Sequence, residues 1–188
     1  MKIREQLIQS AQDEEYKNFV LETIMGIKIF KPHGPFAIRE KRDGTLDIEG
    51  FWSDHRNLSQ QHGCYIFAIR AGGGIRPYYV GKTTRTFAEE VFQDRNLAQF
   101  YFPVLHMRNR GTPVLFLIAS PKQKGPSPSK VIDEMETFLI QQGLNANSDL
   151  KNRQKVRIPQ FGIRGVIRGG MGKVASAAKE FRKTMAID

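Results

Sequence analysis

One stretch of this chain limits the possible folds more than any other: an apolar run, a glycine-rich break, and a second apolar run. Cys64-Tyr-Ile-Phe-Ala-Ile-Arg70 is dense in β-branched and aromatic residues and reads as a strand. Ala71-Gly-Gly-Gly-Ile-Arg-Pro77 reads as a turn, and Tyr78-Tyr-Val-Gly81 as the returning strand. A hairpin with a long glycine-rich loop is therefore expected, and later elements have to pack on it.

Downstream, Thr86 followed by Glu89 is a capping box that starts a helix over 84–93. Residues 96–107 are aromatic-rich and read as helical, with Pro103 early or at a break. Pro113-Val-Leu-Phe-Leu-Ile-Ala119 reads as a buried strand and 121–130 as a polar loop. Residues 131–142 read as a helix with Met135, Phe138 and Leu139 in the core and Gly143 as C-cap. The order β–β–α–α–β–α predicts a small α/β (α+β) sandwich, a three-stranded antiparallel sheet flanked by helices. Residues 1–60 read as an α+β extension: a helix over 10–24, a short strand over 27–30, then a hairpin. The hairpin runs Phe36–Glu40 and Thr45–Glu49 across an Asp43-Gly44 turn. A central domain then spans 61–152, and a basic extension with a final helix spans 153–188.

Net charge is +10, and its distribution is uneven. Residues 1–60 hold nine basic and ten acidic side chains; residues 61–188 hold twenty and nine. Neither Arg95–Ile132 nor Leu150–Lys179 contains an acid. Such a surface suits a polyanion, because lysine and arginine release the counterions condensed on phosphates; the plainer alternative is a soluble basic surface. The single cysteine, Cys64, excludes an intrachain disulfide and a cysteine-based zinc site, and fits a cytoplasmic protein. Met1–Ser10 lacks the apolar core of a signal peptide, and no apolar stretch is long enough for a membrane span.

Gly63-Cys64-Tyr65 and Tyr79-Val80-Gly81-Lys82-Thr83, in this order on paired strands, resemble the two halves of the GIY-YIG nuclease motif. Glu136-Thr-Phe-Leu-Ile140 resembles the family's metal-ligand helix, and Asp149-Leu-Lys-Asn152 its trailing asparagine motif. The resemblance covers 63–152, about half the chain. It implies a metal-dependent endonuclease that hydrolyses DNA phosphodiesters, in a restriction or defence setting. Glu136 would hold a single Mg²⁺ or Mn²⁺, with water at the other positions. Tyr65 would act as general base or orient the attacking water. Tyr79 would bond the phosphate or position the water, Lys82 would add positive charge, and Asn152 would support the site.

One departure stands out. Where the family carries a helix arginine, this chain has Ala88-Glu89-Glu90, and a glutamate cannot hold a phosphate. Either Lys82, Arg85 or Arg95 takes that role, or the site has decayed into a nucleic-acid-binding module of a larger complex. Duplex DNA is the expected partner, contacted by Arg95, Lys151, Arg153, Lys155, Arg157, Arg164 and Arg168; a solvated face is the bland alternative. A protein partner for 1–60, or self-association, stays open.

Several residues also have ordinary explanations. Tyr65 and Tyr79 are good strand formers. Tyr78 alternates to the opposite strand face. Helical glutamates such as Glu136 are usually solvated, and His106 reads as a satisfied buried histidine or as a general base or leaving-group acid. Cys64 reads as a small core residue.

Overall fold

Strands β2 (Gly63–Ala71) and β3 (Gly74–Thr83) form the expected hairpin, closing where Ala71 pairs with Gly74. The break is shorter than expected: Ile75, Arg76 and Pro77 belong to β3. Pro77 is tolerated because β3 is an edge strand, where a missing N–H leaves no ladder bond unmade. These elements come from a computed structural model, which describes residues 28–72, 74–101, 111–120 and 129–151, with Ser176 alone beyond them. The helices expected over 10–24 and 173–185 and the loop core over 121–128 lie outside the described residues.

β4 (Thr112–Ala119) pairs antiparallel with β2, as its apolar run requires. The sheet is four-stranded rather than three-stranded, in the order β1-β4-β2-β3. The added strand, β1 (Lys31–Ala37), pairs with β4, with a register shift between His33 and Phe36. Pro32, Gly34 and Pro35 hide it from a propensity reading, yet prolines suit an exposed edge. The second hairpin expected over 36–49 is reduced to a single bridge, Glu40 to Leu46. Asp47 instead accepts a hydrogen bond from the Gly50 amide at 3.1 Å and caps α1 (Ile48–Asp54), which carries Phe51 and Trp52.

The sheet is covered on both faces. One face buries Tyr65, Phe67, Tyr79, Leu115 and Leu117 against Phe51, Phe87, Val91, Phe92 and Phe100. These partners come from α1, from α3 (Phe87–Glu90) and the turn after it, and from a π-helical turn over Leu97–Tyr101 that follows α4 (Asp94–Asn96). Phe67 stacks on Phe100 with ring centroids 4.6 Å apart. α2 (Arg56–Ser59) leads from α1 into β2. The opposite face buries Val80 against Ile140 and Leu150, beneath α5 (Ser129–Ala146).

α5 is longer and differently phased than expected. Its buried stripe is Ile132, Glu136, Ile140 and Gly143, while Phe138 is 57% exposed. A pattern search assigns the glutamate to solvent and turns the helix accordingly; here the glutamate lies on the inward stripe. Gly143 is no C-cap: it lies inside the helix, where a Cβ would press on Leu150 at 3.3 Å.

Candidate active site

The cleft forms at the open edge of β3, where the two faces of the sheet come together. Tyr65 pairs with Gly81, so both point to the same face. A Cβ at Gly81 would overlap the Tyr65 ring and hydroxyl. Its absence lets the phenol lie across β3 and reach the edge. Gly63 has a separate reason: its φ of +146° disfavours side chains, and a Cβ would collide with the Ile118 carbonyl of β4. Gly81 thus serves the placement of Tyr65, and Gly63 the close approach of β2 to β4.

The register shift between Phe67 and Ala68 leaves Tyr78 as an extra residue on β3. This overturns the alternation expected for Tyr78. Its ring packs toward Phe100, on the same side as Tyr79.

Tyr65 is 1% exposed and Tyr79 is 8% exposed. Their ring centroids lie 6.2 Å apart, and Tyr79 donates to Asn96 Oδ1 at 3.3 Å. The Asn96 amide is fixed in turn by donating to the Glu90 carbonyl at 2.7 Å. Burial is the largest cause that holds the Tyr65 phenol far above its usual range, with the neighbouring Tyr79 and Glu90 adding to it. Tyr79 is shifted upward for the same first reason. Of the two roles expected for Tyr65, burial disfavours the general base, which needs a tyrosinate, and suits an orienting hydroxyl.

From the other face, α5 brings Glu136 to the cleft at 9% exposure. Lys82, next after Gly81, places its ammonium 3.5 Å from Glu136 Oε2 and closer still to Asp133. Lys82 is thus held by two α5 carboxylates one turn apart. Cys64 is buried beneath the same helix, its thiol donating to the Ile132 carbonyl at 3.7 Å. Burial, aided by Glu136, pushes that thiol up to about 12.

Geometry separates the two candidate arginines. Arg95 lines the cleft and Arg85 does not. Both guanidiniums nonetheless meet one carboxylate: Glu90 Oε1 bonds Arg95, and Glu90 Oε2 lies 3.4 Å from Arg85. Glu90 is 6% exposed and itself lines the cleft. Sequence reasoning missed Glu90 and Asn96 as site residues. A single glutamate five residues after Arg85 and five before Arg95 was the available signal, and no regular helix gives that spacing meaning.

Lys151 reaches the cleft because its backbone amide donates to the Tyr78 carbonyl at 2.7 Å, on the outer edge of β3. Asn147 reinforces this docking with a 2.8 Å bond to the Pro77 carbonyl. The remaining expected residues, Asn152, Arg153, Lys155, Arg157, Arg164, Arg168 and His106, lie outside the described residues.

The result is an open cleft of about 430 Å³ with Tyr65, Tyr79, Lys82, Arg95, Glu136 and Lys151 on its walls. Its charged and phenolic donors are oxygens: the Glu136 carboxylate, the two phenols, and the Glu90 carboxylate that two arginines already hold. That set fits a hard cation such as Mg²⁺ or Mn²⁺, held at one carboxylate and otherwise hydrated. It offers none of the thiolate or imidazole donors that zinc favours, since no cysteine or histidine lines the cleft among the described residues. Among the described residues, no cluster of three or more His, Cys, Asp or Glu forms a protein-only metal cage. No described helix is long and apolar enough to cross a membrane. No family model, curated protein or solved structure matches this chain.

Proposed function

We propose that this cleft hydrolyses phosphodiester bonds in duplex DNA, as a metal-dependent endonuclease of the GIY-YIG type. The observation that carries the reading is convergence. Tyr65, Tyr79, Arg95, Glu136 and Lys151 are far apart in the chain, yet they line one cleft with phenols, cations and a carboxylate.

Hydrolysis needs an oriented water and stabilisation of the charge that builds on the phosphoryl oxygens. Arg95 and Lys151 supply cations on the cleft wall, with Lys82 at the Glu136 end. The Tyr79 hydroxyl, its proton donated to Asn96, presents a pre-set acceptor that can orient the attacking water, so little reorganisation is needed during reaction. Tyr65, pinned over Gly81, holds Tyr79 and orients water at the sheet edge. Glu136 would hold the divalent cation, which supplies Lewis acidity at the phosphoryl oxygen.

A supercoiled plasmid is the direct substrate. Nicking with Mg²⁺ or Mn²⁺, abolished by chelator and slowed on the order of a hundredfold by Tyr79→Phe, is the expected result. Nicking indifferent to both chelator and Tyr79→Phe would overturn the reading.

One observation favours a second reading. The Lys82 ammonium already sits on Glu136 and Asp133, where it can stand in for a cation. In that case the cleft binds DNA without cutting it, as a module of a larger complex. Salt-dependent binding with no cleavage under any divalent cation would mark that outcome.

A further inference from the structure

Glu90 is the feature of the cleft that the proposed chemistry does not use. A buried carboxylate beside a phosphate site is unfavourable by itself, since it repels the substrate and pays for its own desolvation. It is retained here between two guanidiniums. Arg85 and Arg95 are 63% and 62% exposed along their side chains, while the Glu90 side chain is 7% exposed. Long exposed arginines are ordinarily mobile, with much rotamer freedom to lose. A fixed carboxylate that receives one guanidinium on each oxygen removes that freedom at the cleft wall.

We propose that Glu90 is a positioning residue that fixes Arg95 as the phosphate-binding cation of the cleft, doing for this chain what a helix-borne arginine would do directly. The proposal rests on the reading of the cleft as a phosphodiester site. Three further observations support it. The capping box of Thr86 and Glu89 sets the first turn of α3, which places Glu90 on the buried side. The Glu90 backbone carbonyl accepts from Asn96, which receives the Tyr79 hydroxyl, so one residue anchors both the arginine and the phenol. The hydrogen bond to Glu90 raises the Arg95 pKa, a sign that the bond favours the charged form. Two cations sharing one anion leave the trio at a net single positive charge, enough to attract a phosphate but oriented by a rigid base.

The proposal predicts a separation of binding from chemistry. Glu90→Gln is close to isosteric and adds a unit of positive charge, so affinity for a short DNA duplex should hold or rise. The cleavage rate should fall, by up to about a hundredfold, because the cation is no longer held in place. In an Arg95→Ala background, Glu90→Gln should cause no further loss, since its effect passes through Arg95.

The decisive experiment combines that double-mutant cycle with side-chain NMR of the Arg95 Nε–H group, titrated with a short DNA duplex. The expected result is a sharp Arg95 signal that shifts on adding duplex in wild type, and a broadened, weakly responsive signal in Glu90→Gln. An unchanged, equally responsive Arg95 signal in Glu90→Gln would overturn the proposal, as would additive losses in the cycle. The NMR arm needs no hydrolysis. A wild type that never cuts, yet shows the Glu90-dependent Arg95 response, would sink the nuclease reading and leave the positioning role standing.

Discussion

Gly81 shows how one absent side chain organises the site. The Tyr65 ring occupies the space a Cβ would need, and β3 backbone cannot yield without breaking its pairing with β2. Gly81→Ala is therefore expected to cost about 1–3 kcal/mol, as other overpacked positions do. It should also lose activity beyond that cost, because the phenol leaves the edge. Thermal melts alongside cleavage rates separate the two effects; an unaffected protein would contradict the placement of Tyr65. Cys64 offers a simpler check. With its thiol pushed up to about 12 and its side chain buried, it should resist alkylation in the native state at pH 8. Labelling of native protein as fast as of unfolded protein would show that the α5 face is open.

At the scale of elements, local chemistry was readable and long-range geometry was not. The hairpin, β4 and the Thr86–Glu89 cap follow from residues close in sequence, and each is present. The capping box satisfies helix amides within one turn, so Thr86→Ala should destabilise the protein by about 1 kcal/mol. Because α3 carries Glu90, the same variant should also loosen Arg95, visible as faster local hydrogen exchange around residues 87–96. The phase of α5 was misjudged because its inward stripe includes Glu136, and a charged residue on a buried face defeats a hydrophobicity pattern. β1 escaped notice for the opposite reason: Pro32, Gly34 and Pro35 deny strand character locally, and only its edge position makes it a strand. The motif tyrosines and Glu136 were readable as a family resemblance. The union of Arg85, Glu90 and Arg95 depends on how α3 and α4 turn, which no short-range pattern reports.

For the molecule as a whole, charge and burial make two further expectations. The net charge of +10 should make DNA binding fall steeply with salt, linear in log Kd against log salt. Stability should decline at both ends of the pH range. His33, His55 and His62 are shifted down by burial, so the folded state binds fewer protons than the unfolded one near their reference pKa of about 6.5. Their contribution is present above that value and is lost as pH falls below it. Tyr65 and Tyr79 are shifted up, so their contribution is present below a reference of about 10 and is lost as pH rises beyond it. Denaturant melts across pH check both limbs. The central claim rests on one side chain, Glu136, and one comparison tests it: plasmid nicking by wild type and Glu136→Gln at matched Mg²⁺ or Mn²⁺, with DNA affinity measured in parallel. The account predicts cutting by the wild type, none by the variant, and comparable binding by both; equal cutting by the two proteins would contradict it.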